Sequence, residues 1–288
     1  MKQTILMLLL SLPMLIMAQN GKVCDDLSMH SNILKMDRKY AIYLPAGYET
    51  SERSYPVLYL LHGAGDDHTG WVQFGEIEHI ADKAINNGTS TPMIIVMPDA
   101  SGENKGYLNR PGKNWNYEDF FFQEFIPFIE SHYRIKAEKR YRAVAGLSMG
   151  GGGTFFYGLH HPELFAAACP LSASCGPVNI DNPGVYWAPK GSEWENLTET
   201  ERLEKLKHSS VYFLVNDIPE DQKKAVRWYI DCGDDDFLFE GNSMVHIAMR
   251  KNAIPHEYRV RDGGHTWTYW RTALPEVLKF VTVSFHQY

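Results

Sequence analysis

Residues 146–150 read Gly-Leu-Ser-Met-Gly, and this pentapeptide constrains the fold more than any other stretch. A short apolar run, 141–145, precedes it and predicts a strand. After three further glycines, residues 154–159 predict a helix, which His161-Pro162 ends because the residue before a proline is excluded from the α region. So tight a strand-to-helix turn holds Ser148 in a strained, exposed conformation. Glycines flank it because side chains there would collide with neighbouring backbone.

Such a turn favours a nucleophilic role for Ser148. The helix that follows directs free backbone N–H groups towards any anion that forms on a substrate at the serine. Pentapeptides of glycine and serine also occur in ordinary turns. The strand, turn and helix around this one are the context that the motif requires.

The remainder of the chain alternates strands with helices. Most predicted strands are continuous apolar runs, as strands buried on both faces require, whereas the first one alternates and indicates an antiparallel strand. The predicted strands are 39–44, 55–61, 93–97, 141–145, 165–171, 226–232 and 256–260. The predicted helices are 76–87, 117–133, 154–159, 240–251 and 267–280. This order predicts one α/β domain built on a doubly wound, mostly parallel sheet.

The N-terminus has the pattern of a secretory signal peptide. Lys2 precedes an apolar run from Ile5 to Met17, and the small residue Ala18 closes it. We therefore predict a signal peptide over 1–18, a domain over 19–288 and a secreted or periplasmic location. A buried N-terminal helix is the alternative interpretation.

Composition excludes several classes of partner. The formal net charge is −7 and no basic stripe occurs, so nucleic acid is not expected as a partner. No second long apolar run follows the first, so membrane insertion is not expected either. Neither Cys-x-x-Cys nor His-Glu-x-x-His spacing occurs, so no metal site is predicted. Cys169 and Cys175 are close enough in sequence to pair, or they are buried thiols. Oligomeric state is not predicted.

A long segment, about 174–222, separates the fifth and sixth predicted strands. It contains Tyr186, Trp187 and Trp194 and a charged helix over 198–207. Loops of this length inside a compact domain are usually functional. We interpret the segment as a lid over Ser148; the alternative is a surface excursion whose aromatic side chains pack on the scaffold.

A serine hydroxyl needs a base to take its proton and a carboxylate to orient that base. His265 lies between the last strand and the last helix, within Gly-Gly-His-Thr-Trp, and is the predicted base. His62 competes spatially but precedes the serine in the chain, whereas the expected order is serine, acid, histidine. The acid is expected from the loop after the sixth strand, 231–237, which holds three adjacent aspartates. An acidic metal site in this loop is the competing hypothesis.

Four motifs in order resemble the esterase D-like α/β-hydrolases, and most closely the feruloyl and acetyl xylan esterases of carbohydrate esterase family one. These motifs are Leu61-His62-Gly63, Gly-Leu-Ser148-Met-Gly-Gly, Cys232-Gly-x-x-Asp236 and Gly-Gly-His265-x-Trp267. The resemblance covers about residues 35–285. It implies an α/β-hydrolase fold with no cofactor and Asp236 as the acid, with Asp235 as a lesser candidate. It also implies oxyanion donors at the backbone N–H of Met149 and of Ala64 or Gly63.

The predicted function is a serine carboxylic-ester hydrolase that works through an acyl-enzyme. Aromatic side chains near the motifs suit a hydroxycinnamoyl group or a sugar ring, so the expected substrate is a small acyl ester or an esterified plant glycan. The predicted substrate-binding residues are Trp267, Trp71, Trp115, Tyr186, Trp187 and Trp194. Two alternatives stay open. One is a general short-chain esterase or thioesterase similar to the S-formylglutathione hydrolases, and the other is a non-catalytic glycan-binding relative.

Overall fold

The computed structural model describes residues 20–102, 106–110, 115–181, 193–207 and 209–286, and the statements below concern those residues. The predicted signal peptide, 1–18, lies outside them. No helix in these ranges is long and apolar enough to span a membrane.

Two β-sheets are present in the described ranges. The strands are β1 Lys22–Ser31, β2 Met36–Leu44, β3 Val57–Leu61, β4 Ile94–Pro98, β5 Asn109–Arg110, β6 Trp115–Asn116, β7 Arg142–Leu147, β8 Ala167–Leu171, β9 Arg227–Gly233 and β10 His256–Arg261. The main sheet has eight strands in the order β1-β2-β4-β3-β7-β8-β9-β10, and β5 pairs with β6 in a small hairpin. Strands β3, β4 and β7 to β10 run parallel, while β2 is antiparallel to both β1 and β4.

Helices cover both faces of this sheet. They are α1 Gly70–Gln73, α2 Ile77–Asn86, α3 Tyr117–Phe120, α4 Ile126–His132, α5 Met149–His160, α6 Glu199–Lys207, α7 Val211–Asn216, α8 Phe239–Lys251 and α9 Trp267–His286. Side chains of α2 and α9 pack on one face, and those of α3, α4, α5, α7 and α8 pack on the other. The predicted doubly wound α/β sheet is therefore confirmed.

The short elements β5, β6, α1 and α7 were not predicted, and three further differences have a clear physical reason. Strand β1 was not predicted because it is a partly exposed edge strand, with a bulge between Cys24 and Leu27 and no apolar run. The predicted helix 117–133 is split by a π-helical turn, Phe121–Phe125, just before Pro127, which lacks the N–H that a regular helix needs. Helix α5 begins at Met149, not at residue 154, so its first turn includes the four consecutive glycines 150–153.

All four cysteines, Cys24, Cys169, Cys175 and Cys232, are free thiols. Of the two alternatives for Cys169 and Cys175, the structure therefore has the unpaired one. Burial raises the pKa of both thiols, which keeps them protonated and unreactive.

A partly buried carboxylate joins α3 to the end of α5. Glu118 Oε1 lies 2.7 Å from His160 Nδ1 and 3.2 Å from His161 Nε2. Burial alone would raise the pKa of Glu118, but these two contacts outweigh it and lower the pKa to about 2.

We expect Glu118→Gln to destabilise the fold in a pH-dependent way. The folded-state pKa of Glu118 lies below the unfolded value of about 4.3, so its stabilisation is present above that value and is lost as the pH falls towards 2. Denaturant unfolding should show a loss of about 1–3 kcal/mol at pH 6 and a smaller loss at pH 3. Glu163→Gln is the control, since this exposed carboxylate lies 3.7 Å from His161 Nδ1. Equal losses at both pH values for Glu118→Gln would contradict the expectation.

Candidate active site

Ser148 occupies a strained turn between β7 and α5. Its φ of 55° and ψ of −115° lie in a region that non-glycine residues rarely adopt. A Cβ at Gly146 would lie 2.6 Å from Gly150 O, and a Cβ at Gly150 would lie 2.6 Å from His62 O. Only glycine therefore fits at either position, as the sequence motif predicts.

A chain of two hydrogen bonds joins three of the predicted residues. His265 lies in the loop between β10 and α9, and its Nε2 is 2.9 Å from Ser148 Oγ. Its Nδ1 is 2.8 Å from Asp236 Oδ2. Since an ionised carboxylate only accepts hydrogen bonds, Nδ1 carries the proton and the lone pair of Nε2 faces the serine hydroxyl. The rings of Phe237 and Trp270 flank the imidazole at 4.5 and 4.9 Å between centroids.

The surroundings of Asp236 keep its carboxyl group ionised. Burial by itself raises the pKa of Asp236, but hydrogen bonds from His265, from the Leu238 N–H and from Ser172 lower it below its usual value. The Leu238 N–H donates to Oδ1 at 2.8 Å, which leaves Oδ2 for the imidazole. The side chain of Asp236 is fully buried, so this geometry is sheltered from water.

The two neighbouring aspartates are exposed and point elsewhere. Asp234 Oδ1 accepts a hydrogen bond from the Gly263 N–H at 3.1 Å. The carboxylates of Asp234, Asp235 and Asp262 lie within 4.8 Å of one another, a spacing that could hold a cation. Exposed acidic groups of this kind are common without a metal. In the described residues, the spacing of these carboxylates is the only feature that indicates a metal ion here.

The three candidate oxyanion donors lie beside Ser148. Ala64 and Met149 line the same cavity as the serine. A Cβ at Gly63 would lie 3.5 Å from Ser148 Cβ, so the backbone of this loop approaches the nucleophile closely. Met149 opens α5, where the N–H groups of the first turn have no intrahelical acceptor and carry partial positive charge.

A cavity of about 440 Å³ opens at Ser148. Five glycines, Gly65, Gly102, Gly106, Gly152 and Gly153, contribute to its wall. Tyr107, Phe156 and Phe237 supply aromatic surface. A cavity of this size and lining is typical of small-molecule sites.

Most of the predicted substrate-binding aromatics do not reach this cavity. Trp71 is fully buried and donates its indole N–H to Leu61 O, while Trp115 is 2 % exposed and donates to Gly106 O. Trp194 is buried against Arg202 within the insertion. Trp267 packs between Trp71 and Trp270 and is only partly buried, yet it is not among the cavity residues. Tyr186 and Trp187 lie outside the described residues.

Trp71 of α1 and Trp115 of β6 are core residues, as large aromatics often are, so closeness in sequence to a motif did not place them at the cavity. The aromatic residues that line the cavity, Tyr107, Phe156 and Phe237, were not predicted. Phe237 directly follows Asp236, so its position in the acid loop was an available indication. Tyr107 carries no such indication, because only the folding of its loop brings it to β3.

The sheet order, the elbow at Ser148 and the loops that carry Asp236 and His265 define an α/β-hydrolase. Residues 31–281 match the Esterase family, and the chain belongs to that family.

Among solved structures, the chain is similar to a ferulic acid esterase, with 37% identity and a TM-score of 0.80 over 93% of this chain and 99% of the other. An S-formylglutathione hydrolase from Staphylococcus aureus shares the fold, with 21% identity, a TM-score of 0.71 and coverage of 91% and 99%.

Among curated relatives, an esterase of Mycobacterium tuberculosis is 29% identical over 252 residues, 78% of this chain and 52% of the relative. A xylanase/feruloyl esterase of Xylanibacter ruminicola is 38% identical over 131 residues, 43% of this chain and 18% of the relative. The chain thus spans about half, or less, of these two relatives. An acetyl esterase of Caldicellulosiruptor saccharolyticus is 23% identical over 89% of this chain and 97% of its own length.

We expect Asp236→Asn to lower kcat strongly, because an amide would favour the wrong imidazole tautomer. The equivalent change costs on the order of 10⁴ in the serine-protease triad. Hydrolysis of p-nitrophenyl acetate is the measurement. Asp235→Asn is the matched control and should stay within about twofold of the wild type, since its side chain is exposed. A larger loss of kcat for Asp235→Asn or Asp234→Asn than for Asp236→Asn would indicate that the substituted residue is the acid.

Proposed function

We propose that this protein is a serine esterase that releases feruloyl or acetyl groups from plant polysaccharides or their oligosaccharides. The observation that carries the proposal is the hydrogen-bonded chain Ser148–His265–Asp236, with distances of 2.9 and 2.8 Å, whose serine lines a cavity of about 440 Å³.

The reaction proceeds in two steps. His265 Nε2 takes the proton of Ser148 Oγ while the oxygen attacks the ester carbon, and the carbonyl electron pair moves onto its oxygen. Backbone N–H groups of Met149 and of Ala64 or Gly63 stabilise that oxyanion. The intermediate collapses to an acyl-enzyme, and the leaving alkoxide takes the proton from Nε2. Water repeats the sequence and releases the acid.

The cavity supports the proposed acyl group. A planar hydroxycinnamoyl group fits a wall of glycines with aromatic side chains beside it, and the same space admits acetyl. The names of the similar ferulic acid esterase and xylanase/feruloyl esterase agree with this substrate class.

We further propose that the protein is exported and that residues 1–18 are its signal peptide. Residues 19–288 then form one domain, in which the insertion at about 174–222 covers Ser148. The apolar run after Lys2 supports the first part. Relatives named as xylanases, including one from Acetivibrio thermocellus that is 33% identical over 161 residues, agree with an extracellular polymer as the substrate.

We expect Ser148→Ala to lose several orders of magnitude in kcat on methyl ferulate and acetylated xylan, because the nucleophile is removed. It should also lose covalent labelling by a fluorophosphonate, whereas Ser209→Ala, at another cavity serine, should keep the label. A non-catalytic binding protein would show no label even as the wild type. Faster turnover of S-formylglutathione or of a long-chain triglyceride than of ferulate would refute the substrate class.

Phe237 is proposed to contact the sugar that carries the ester. Its side chain is 75 % exposed although it is aromatic, and its ring lies 4.5 Å from that of His265. Because His265 Nε2 protonates the leaving alcohol, that alcohol must lie on the same side of Ser148 as the imidazole.

We expect Phe237→Ala to lower kcat/KM about 2- to 10-fold on feruloylated xylo-oligosaccharides, the value of one aromatic contact. The loss on methyl ferulate should be smaller, since that ester has no sugar. Phe74→Ala is the control, because Phe74 is also exposed but packs beside Trp267 at 5.9 Å. Equal losses on both esters would assign Phe237 to the acyl side.

A further inference from the structure

His62 is a buried imidazole that the proposed reaction does not use. It is 1 % exposed and follows β3, directly before Gly63 and Ala64, two of the three candidate oxyanion donors. Its Nδ1 lies 2.8 Å from Gly63 O, and its Nε2 lies 2.9 Å from the Ala100 nitrogen. A carbonyl only accepts and a backbone N–H only donates, so the ring is neutral with its proton on Nδ1.

The first of these contacts, together with the longer bond from the Asp66 N–H to Gly63 O at 3.3 Å, fixes the orientation of a peptide group. Gly63 O and the Ala64 N–H belong to the same planar trans peptide, and in such a group the C=O and N–H bonds point in opposite directions. When His62 Nδ1 holds Gly63 O, it also sets the direction of the Ala64 N–H. Ala64 lines the cavity with Ser148.

Tyr107 acts in the same way on the preceding peptide group. Its hydroxyl donates to His62 O at 3.1 Å and accepts from the His62 N–H at 2.8 Å. His62 O and the Gly63 N–H belong to one peptide group. By binding His62 O, the Tyr107 hydroxyl therefore also sets the direction of the Gly63 N–H, another candidate donor. Tyr107 is 2 % exposed, so water competes little for these bonds.

The partner on the far side of His62 is itself anchored. Ala100 follows Asp99, whose backbone O accepts hydrogen bonds from Arg38 and from the Tyr117 hydroxyl. The Asp99 carboxylate forms an ion pair with Arg38 at 2.9 Å. The imidazole therefore bridges two fixed loops, one after β3 and one after β4.

We propose that His62 is a positioning residue that aims the Ala64 N–H at the oxyanion through its Nδ1 bond to Gly63 O. This inference depends on the proposed function, since it assumes an oxyanion at Ser148.

The electrostatic surroundings agree with a neutral ring. Burial lowers the pKa of His62 and outweighs the hydrogen bond to the Gly63 carbonyl and the carboxylates of Asp99 and Asp67, which raise it, while His68 lowers it further. Asp99 Oδ1 is 3.7 Å from Nε2, too far for a hydrogen bond.

Two amide substitutions separate the two contacts of the ring. The amide nitrogen of His62→Asn takes the place of Nδ1 and can still donate to Gly63 O. The longer His62→Gln reaches the place of Nε2 and can accept from Ala100, but it loses the bond to Gly63 O. We expect His62→Gln to lower kcat on methyl ferulate on the order of 10- to 100-fold with KM within about threefold, and His62→Asn to recover most of the loss.

A trifluoromethyl ketone gives a second measurement. Ser148 Oγ adds to its carbonyl carbon, the serine proton passes to His265 and the carbonyl electron pair moves onto the oxygen, so the adduct mimics the oxyanion. We expect the inhibition constant to rise in His62→Gln by about the same factor as kcat falls. A purely structural role would not produce this parallel change.

His68→Asn is the matched control. His68 is 5 % exposed in the same loop, but its Nε2 contacts Asp25 O of β1 and no candidate donor. We expect kcat within about twofold of the wild type. If His62→Gln does not fold, as judged by thermal unfolding, His62→Ala replaces it, since it also lacks the bond to Gly63 O, and its kcat should fall below that of His62→Asn.

The outcomes separate two failures. Folded His62→Gln with wild-type kcat, or equal kcat for the Asn and Gln variants, would overturn the inference while the esterase stands. A wild-type protein that takes no fluorophosphonate label would overturn the proposed function and the inference with it.

Discussion

The close approach of backbone at the elbow is the constraint on which the site depends. Ser148 N–H donates to Leu171 O, and Ser148 O accepts from the N–H groups of Gly152 and Ser174. A Cβ at Gly151 would lie 2.6 Å from Leu171 O. The carboxyl ends of β3, β7 and β8 can therefore meet at one point only because this part of α5 has no side chains. The strain at Ser148 is held in place by those packed strands.

A second constraint holds the loops that carry Asp236 and His265 next to each other. Asp231, fully buried near the end of β9, accepts hydrogen bonds from Tyr229 at 2.8 Å, from Tyr269 at 2.6 Å and from Arg261 at 2.5 Å. Arg261 ends β10 and Tyr269 lies in α9, so one carboxylate ties together the elements on either side of His265. Since Asp236 follows β9 by three residues, the same network anchors its loop. The three donors compensate the buried charge of Asp231. Removal of any one of them would destabilise the fold, because it would leave part of this charge without a partner.

The insertion belongs partly to the scaffold and partly to the cavity. Val211 and Val215 of α7 are buried in the main core, so this part packs on the sheet as the surface-excursion alternative proposes. Ser174 and Ser209 nevertheless line the cavity, which agrees with a covering role. The lid stays a prediction, since residues 182–192 lie outside the described ranges.

The sequence by itself determined the mostly parallel sheet and the elbow at Ser148, because apolar runs and glycine spacing are local properties. The choice of Asp236 among three aspartates came from resemblance; in the structure its side chain is buried beside His265, whereas those of Asp234 and Asp235 are exposed. The composition of the cavity wall depends on tertiary structure alone. The same is true of the hydrogen bonds by which His62 and Tyr107 hold the peptide groups after β3. Tyr107 is 45 residues from His62 in the chain, and no local pattern encodes a contact across that separation. The exposed face of Phe237 and the burial of Trp71 have the same cause: each depends on which surfaces the packed helices leave open.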